Sequence, residues 1–247
     1  MVARALIAAL ALGFSSWVLA AGPKVMETQI NGYTVYLVDL QSGNQFGYTF
    51  AVPYGSADDE PRFFGRAHFY EHMFARGSKR FSGHETLIQE ISQLGYSRNA
   101  ATGSDMTFYY ASGHEKNAIQ ALRMHLASLE EPDLEASSFQ RERQTVINEV
   151  IESAPNRPLR SLWSLPFMVL PHEGHFLRGH FVGTSETLLG MTPDDLRDLH
   201  RRIYRNPANV KVALFANFTS GQWSREALIQ ALAEILPKDG KPQEPYQ

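Results

Sequence analysis

The sequence contains no cysteine. That absence excludes a disulfide framework, a thiolate metal site, a cysteine nucleophile and a lipid anchor attached through cysteine. Any metal must therefore be held by His, Asp or Glu. An excess of charge of one sign is also missing: 23 Lys plus Arg stand against 26 Asp plus Glu, a formal net charge of −3. So small a balance offers no electrostatic footprint for nucleic acid. Beyond the first 21 residues no apolar run approaches the roughly 20 residues of a membrane span. Internal repeats and low-complexity tracts are lacking too. What is present is ordinary for a globular protein, with 43% hydrophobic and 20% charged residues in 247. That length allows one large domain or two small ones.

Met1 to Ala21 reads as a secretory signal peptide. Arg4 supplies a short basic start and Ala5 to Phe14 a compact apolar stretch. Val18-Leu19-Ala20 presents the side chains a signal peptidase reads. Ser15 and Ser16 interrupt the apolar stretch, which is short for a membrane anchor. Cleavage after Ala20 gives a 1–20 leader, a folded unit over 21–237 and a Pro-, Lys- and Gln-rich tail or linker over 238–247. The product is then exported, to the periplasm in this reading, with no membrane span.

Within the folded unit, Val25–Ile30, Tyr33–Val38 and Phe46–Pro53 read as strands joined by turns at Asn31-Gly32 and Ser42-Gly43-Asn44. Phe63 to Ala75 has a helical pattern. Ser82-Gly83-His84-Glu85 is a capping box that opens a helix ending at Gly95. Tyr96–Ala101 and Met106–Ser112 form a strand pair. Helices follow over Glu115–Leu129 and Glu135–Glu152, and another is expected over Arg157–Leu170. Thr192-Pro193-Asp194 starts a helix to about Tyr204, with a cap residue and then proline at the first position. Val210–Ala216 is a buried strand and Arg225–Leu236 an amphipathic helix. Strands and helices mix without strict alternation, so the fold class is α+β, a layered antiparallel or mixed sheet packed with helices.

The chemistry concentrates in Ala67-His68-Phe69-Tyr70-Glu71-His72-Met73. Helical residues four apart lie on one face. His68 and His72 can therefore aim two imidazoles at one ion, with Glu71 beside them. This is His-x-x-Glu-His, the inverse of His-Glu-x-x-His. A catalytic zinc usually takes three protein ligands and keeps a position open. The helix over Glu135–Glu152 offers carboxylates at Glu142 and Glu149, two turns apart on one face and bordering the apolar Phe139, Val146 and Val150. Either element alone would pass for surface charge; together, the second supplies what the first lacks. His84, His114, His125 and His200 show no partner spacing, and His172, His175 and His180 read as a surface loop. Tyr109-Tyr110 reads as strand packing, and Arg201-Arg202 as a solvated helix end.

These motifs closely resemble those of the pitrilysin/insulinase zinc metallopeptidases, the inverzincins, which include the processing peptidases. Gly65 to Met73 is similar to the family's active-site helix, and Glu142-Arg143 followed by Glu149 to its second helix. Asn99-Ala100-Ala101-Thr102, with Asp105, Thr107 and Tyr109, resembles the adjoining strand pair. Gly183-Thr184 and Met191-Thr192-Pro193-Asp194-Asp195-Leu196 resemble the later signature. The resemblance implies the LuxS/processing-peptidase-like metallohydrolase fold, with zinc as cofactor and His68, His72 and Glu149 as metal ligands. It implies Glu71 as general base toward a zinc-bound water, and Glu142 as a supporting carboxylate that orients a ligand. Asn99 and Ala100 would lie on an edge strand that pairs with the backbone of a peptide substrate. The implied function of the 21–237 unit is that of an exported zinc endopeptidase. The alternative is a non-catalytic partner subunit of a two-unit peptidase, which typically lacks ligand residues. Family members carry at least two such units, so a second homologous unit is the expected partner.

Overall fold

The computed structural model describes residues 23–79, 84–153 and 182–238. The leader, Ser82-Gly83, the helix expected over Arg157–Leu170, the His172, His175 and His180 group and residues 239–247 lie outside the described residues.

Six strands build one mixed sheet: β1 (Lys24–Ile30), β2 (Tyr33–Asp39), β3 (Gln45–Val52), β4 (Tyr96–Thr102), β5 (Thr107–His114) and β6 (Lys211–Ala216). Their spatial order is β1-β2-β6-β3-β5-β4. Asn31 and Gly32 both adopt positive φ, 52° and 86°. That is the conformation of the primed turns that match strand twist, and it makes β1 and β2 a hairpin. The turn expected at Ser42-Gly43-Asn44 makes no hairpin. Strand β6 inserts between β2 and β3, parallel to the first and antiparallel to the second. No local pattern announces this insertion, because β6 comes from about 170 residues further along the chain.

Alternation along the strands sorts their side chains. Phe46, Tyr48, Phe50 and Val52 of β3 are buried, as are Tyr109, Val212 and Leu214. The alternate residues Phe108 and Tyr110 face outward, so Tyr109-Tyr110 splits between core and surface. The helices are α1 (Arg66–Ala75), α2 (His84–Gln93), α3 (Ala118–Glu130), α4 (Ala136–Ser153), α5 (Ser185–Gly190), α6 (Pro193–Leu199) and α7 (Arg225–Ile235). Thr192 caps α6 as its sequence implies, its side chain accepting from Asp195 N–H. Helix α6 then passes into a π-helical turn over His200–Tyr204.

The sheet's buried face receives α1 and α3. Phe74 of α1 lies 3.9 Å, ring to ring, from Tyr109, and Tyr48 Oη donates to the carbonyl of Ala121 in α3. Tyr70 and Tyr204 rings are 4.2 Å apart, and Phe69 meets Phe139 of α4 at 4.9 Å. Alone, a ten-residue helix is marginal in water. Phe69, Tyr70, Met73 and Phe74 are each fully buried. At about 1.5–3 kcal/mol per buried large apolar side chain, this contact rather than intrinsic propensity holds α1.

Two of the histidines that show no partner spacing in the sequence are core residues. His125 is 2% exposed and packs edge-on against Phe50 and Tyr48. His200 Nδ1 accepts from Tyr70 Oη at 2.6 Å, and the ring also bonds the backbone of Glu130. It thereby joins the π turn to α1 and α3. Burial, helped by the charge of Arg205, lowers the His200 pKa from 6.5 to about 4. The native state thus keeps this ring neutral where the unfolded chain takes up a proton. Its contribution is complete above pH 6.5 and is lost as pH falls toward 4. Urea unfolding of wild type and His200→Gln should show wild type more stable at pH 7.5, with the difference shrinking steadily through pH 6 and pH 5. A difference that grows on acidification would refute the buried neutral ring.

Candidate active site

Helix α1 is held at its start from outside itself. Gly65, the residue before it, has φ +90°, and a Cβ there would fall 2.6 Å from the Cα of Gly183. Gly183, at φ +80°, faces the carbonyl of Phe64 equally closely. Two glycines thus let two backbones touch, which gives the Gly-Thr signature a steric reason. Thr187 Oγ1 donates to that same Phe64 carbonyl at 2.7 Å. The amides at the helix start are satisfied by Asp59, which accepts from Gly65 N–H at 3.0 Å and Ala67 N–H at 3.2 Å. Tyr54 Oη donates to the same carboxylate, and Arg66 Nη2 donates to Tyr54 Oη. Burial pushes the Asp59 carboxyl up to about 7 despite these bonds.

With its back in the core, α1 turns His68, Glu71 and His72 toward α4 and β4. The Nε2 atoms of His68 and His72 lie 3.2 Å apart. Glu149 Oε2 stands 3.7 Å from His68 Nε2 and 3.5 Å from His72 Nε2. A tetrahedral ion with N and O ligands at 2.0–2.1 Å sets donors about 3.3–3.4 Å apart, so the triangle fits such an ion. Its chemistry fits as well. His72 Nδ1 faces Glu142 Oε1 at 3.0 Å, which assigns the ring proton to Nδ1 and leaves a lone pair on Nε2. Two imidazole nitrogens and a carboxylate oxygen then converge. These three are the residues that could hold a metal ion among the described residues.

Burial lowers the His68 pKa to about 4, with the neighbouring His72 adding to the shift. Burial also pulls His72 down, but its hydrogen bond to Glu142 and the charges of Glu149, Glu142 and Glu71 outweigh that and raise it. Glu142 is buried, which raises its pKa. Its bonds with His72 and Arg76 more than reverse this and hold the carboxyl below the usual range. Glu142 and Glu149 share one face of α4 as their spacing requires, but with different surroundings. Glu142's side chain is 8% exposed and Glu149's 44%.

Glu71 does not join the triangle. Its carboxylate turns to β4, where the Thr102 hydroxyl donates to it. Burial raises its pKa, against the lowering effects of Thr102 and His72. Strand β4 pairs with β5 alone and so is a sheet edge. The Gly103 amide bonds the Met106 carbonyl at 2.8 Å, which sets the alternation along the ladder. Arg98, Ala100 and Thr102 therefore turn their backbone groups away from β5. The Ala100 amide is met there by Asn99 Oδ1 at 2.9 Å. The structure thus brings together His68, His72 and Glu149, sets Glu142 behind His72, and places Asn99 and Ala100 on the edge strand.

Sequence reasoning passed over Asp59 and Arg76, and gave Thr102 no role of its own. Arg76 lies four residues after His72, a spacing that would have placed it beside the same carboxylate. Asp59 carries no local signal, and the contact of Thr102 with Glu71 is made across the fold.

A family model described as insulinase, peptidase family M16, matches residues 34–162. Among curated proteins, the chain is 28% identical over 167 residues to an "Uncharacterized zinc protease YmxG" of Bacillus subtilis, covering 67% of this chain and 39% of that protein. It is 28% identical over 191 residues to Protease 3 of Escherichia coli, covering 76% and 20%. A solved protease from Helicobacter pylori superimposes with a TM-score of 0.78 at 21% identity, over 90% of this chain and 52% of that one. The first half of the periplasmic protease PqqL from Escherichia coli gives 0.75 at 21% identity, over 90% and 48%. The two structures share the six-stranded α+β fold, and the chain spans well under half the length of the two curated relatives. With its family model extending over more than half its residues, the chain belongs to the insulinase family, peptidase family M16.

Proposed function

We propose that this chain is the metal-holding unit of a zinc-dependent endopeptidase. The observation that carries the reading is the convergence of His68 Nε2, His72 Nε2 and a Glu149 oxygen. A relative named as a zinc protease supports zinc as the ion. When bound, zinc supplies Lewis acidity, which acidifies water and polarises a carbonyl oxygen.

The residues of the chain divide the remaining work. Glu142 takes the Nδ1 proton of His72 as a hydrogen bond and so directs the opposite nitrogen inward. Arg76, on the other oxygen of Glu142, keeps that carboxylate charged. Glu71 takes a proton from the attacking water and passes it to the leaving amine. Its raised pKa brings it nearer the working pH, where a general base is most effective. The outward backbone groups of Arg98 and Ala100 offer a peptide a partner strand, with main-chain bonds that demand little of its sequence.

A second homologous unit completes this reading, since the chain spans about half of each of the two protease structures, one of them named as a first half. Export to the periplasm is supported by the Arg4 to Ala20 pattern and by a structural relative called periplasmic. No described helix is long and apolar enough to cross a membrane.

Elemental analysis after zinc loading and desalting should give one zinc per chain in wild type and almost none in His72→Ala. Chelator competition should show Glu142→Gln still binding, about ten- to a hundredfold more weakly. Equal zinc in wild type and His72→Ala would remove the ligand assignment. Glu71→Gln should keep its zinc while peptide hydrolysis falls at least about a hundredfold. Loss of metal in that variant would make Glu71 a ligand instead. Peptidase activity per chain should rise with protein concentration or on adding a second family unit. High, concentration-independent activity in a sample of monomeric mass would argue that one unit suffices.

A further inference from the structure

We infer that Thr102 is the positioning residue of Glu71, through its hydroxyl, so that the strand edge offered to a peptide also orients the base. The inference rests on Glu71 acting as that base.

The ladder register leads to it. On the open side of β4 the outward amides belong to Arg98, Ala100 and Thr102, about 6.8 Å between successive ones. The Thr102 hydroxyl donates to the Glu71 carboxylate at this end of the open edge. The carboxylate of Glu71 is thereby tied to the strand that would pair with a peptide.

Each link behind Thr102 is rigid. Threonine is β-branched, so the backbone largely decides where its hydroxyl points. That backbone is set by pairing with β5, where Thr102 stands opposite Thr107. Thr107 is itself buried, with its hydroxyl donating to the Tyr54 carbonyl at 2.8 Å. The next residue, Gly103, bonds Met106 and accepts from the Ser56 amide at 3.0 Å. Glu71 meanwhile extends from α1, a separate element. Thr102 is therefore where sheet and helix agree on the location of the base, and Ala100, two residues earlier, presents the next outward amide for a substrate.

The test compares Thr102→Val, which keeps the shape and loses the hydroxyl, with Thr102→Ser, which keeps the hydroxyl. Both are measured in the assembly that carries wild-type activity. Thr102→Val should lower kcat about ten- to a hundredfold, the scale of a misplaced reacting group, with KM within about twofold. Thr102→Ser should recover kcat to within about threefold of wild type. Zinc content and thermal midpoint should match wild type in both. A crystal structure of metal-free Thr102→Val should show the Glu71 carboxylate displaced or in more than one rotamer. Wild-type kcat in Thr102→Val, equal impairment in Thr102→Ser, loss of zinc, or an unmoved Glu71 in the crystal each overturns the inference. A wild-type assembly that binds zinc but cleaves no peptide overturns the base assignment instead, and the crystal comparison then still decides whether Thr102 holds Glu71.

Discussion

The apolar back of helix α1 is the contact on which the rest of the site depends. Phe69, Tyr70, Met73 and Phe74 fill the space between the sheet, α4 and the π turn. A helix so anchored cannot rotate without opening a cavity, and truncating one such aromatic typically costs about 3–5 kcal/mol. The angular positions of His68, Glu71 and His72 follow from that anchor. The closely packed interior is what converts a four-residue spacing into a 3.2 Å separation between two ring nitrogens.

Charge then decides what the anchored groups can hold. Glu71, Glu142 and Glu149 surround two imidazoles, and Arg76 is the guanidinium bonded to them among the described residues. With both rings neutral, two negative charges go uncompensated at a half-buried place, where such an imbalance is costly. The protein's own response is visible in His72, whose proton affinity is raised by these same carboxylates. A divalent cation answers the imbalance more fully than one proton does. Its ligand set and its charge requirement therefore point the same way.

Local features were legible in the sequence. The Asn31-Gly32 turn, the Thr192 cap, the His68–His72 spacing and the shared face of Glu142 and Glu149 all follow from rules that span a few residues. The site triangle could be read because each of its two helices carries its own periodic signal. What was not legible depends on distant parts of the chain. Strand β6 entering between β2 and β3, Asp59 capping α1, Gly65 against Gly183, and His200 bonding Tyr70 are contacts across roughly 6 to 180 residues with no periodic trace. His125 and His200 stood out as polar residues lacking a pattern, and burial gave them one. The strands joined by the Ser42–Asn44 turn are not paired with each other for the same reason, since a turn signal says that the chain reverses but not which strand it finds.

The self-bond at the edge of β4 bears on how any further strand could add there. Asn99 Oδ1 already satisfies the Ala100 amide. A peptide laid along that edge exchanges this bond for another, and the net contribution of one exchanged hydrogen bond is small. Affinity at this position is thereby kept low by the strand itself. In the proposed peptidase, a cleaved fragment would hold fewer backbone contacts than the intact chain and would leave as Asn99 returns to its neighbour. The same side chain discourages a second copy of the strand from adding itself to the open edge, the usual route by which exposed strands aggregate. One asparagine amide would thus limit self-association and, in the proposed peptidase, product retention.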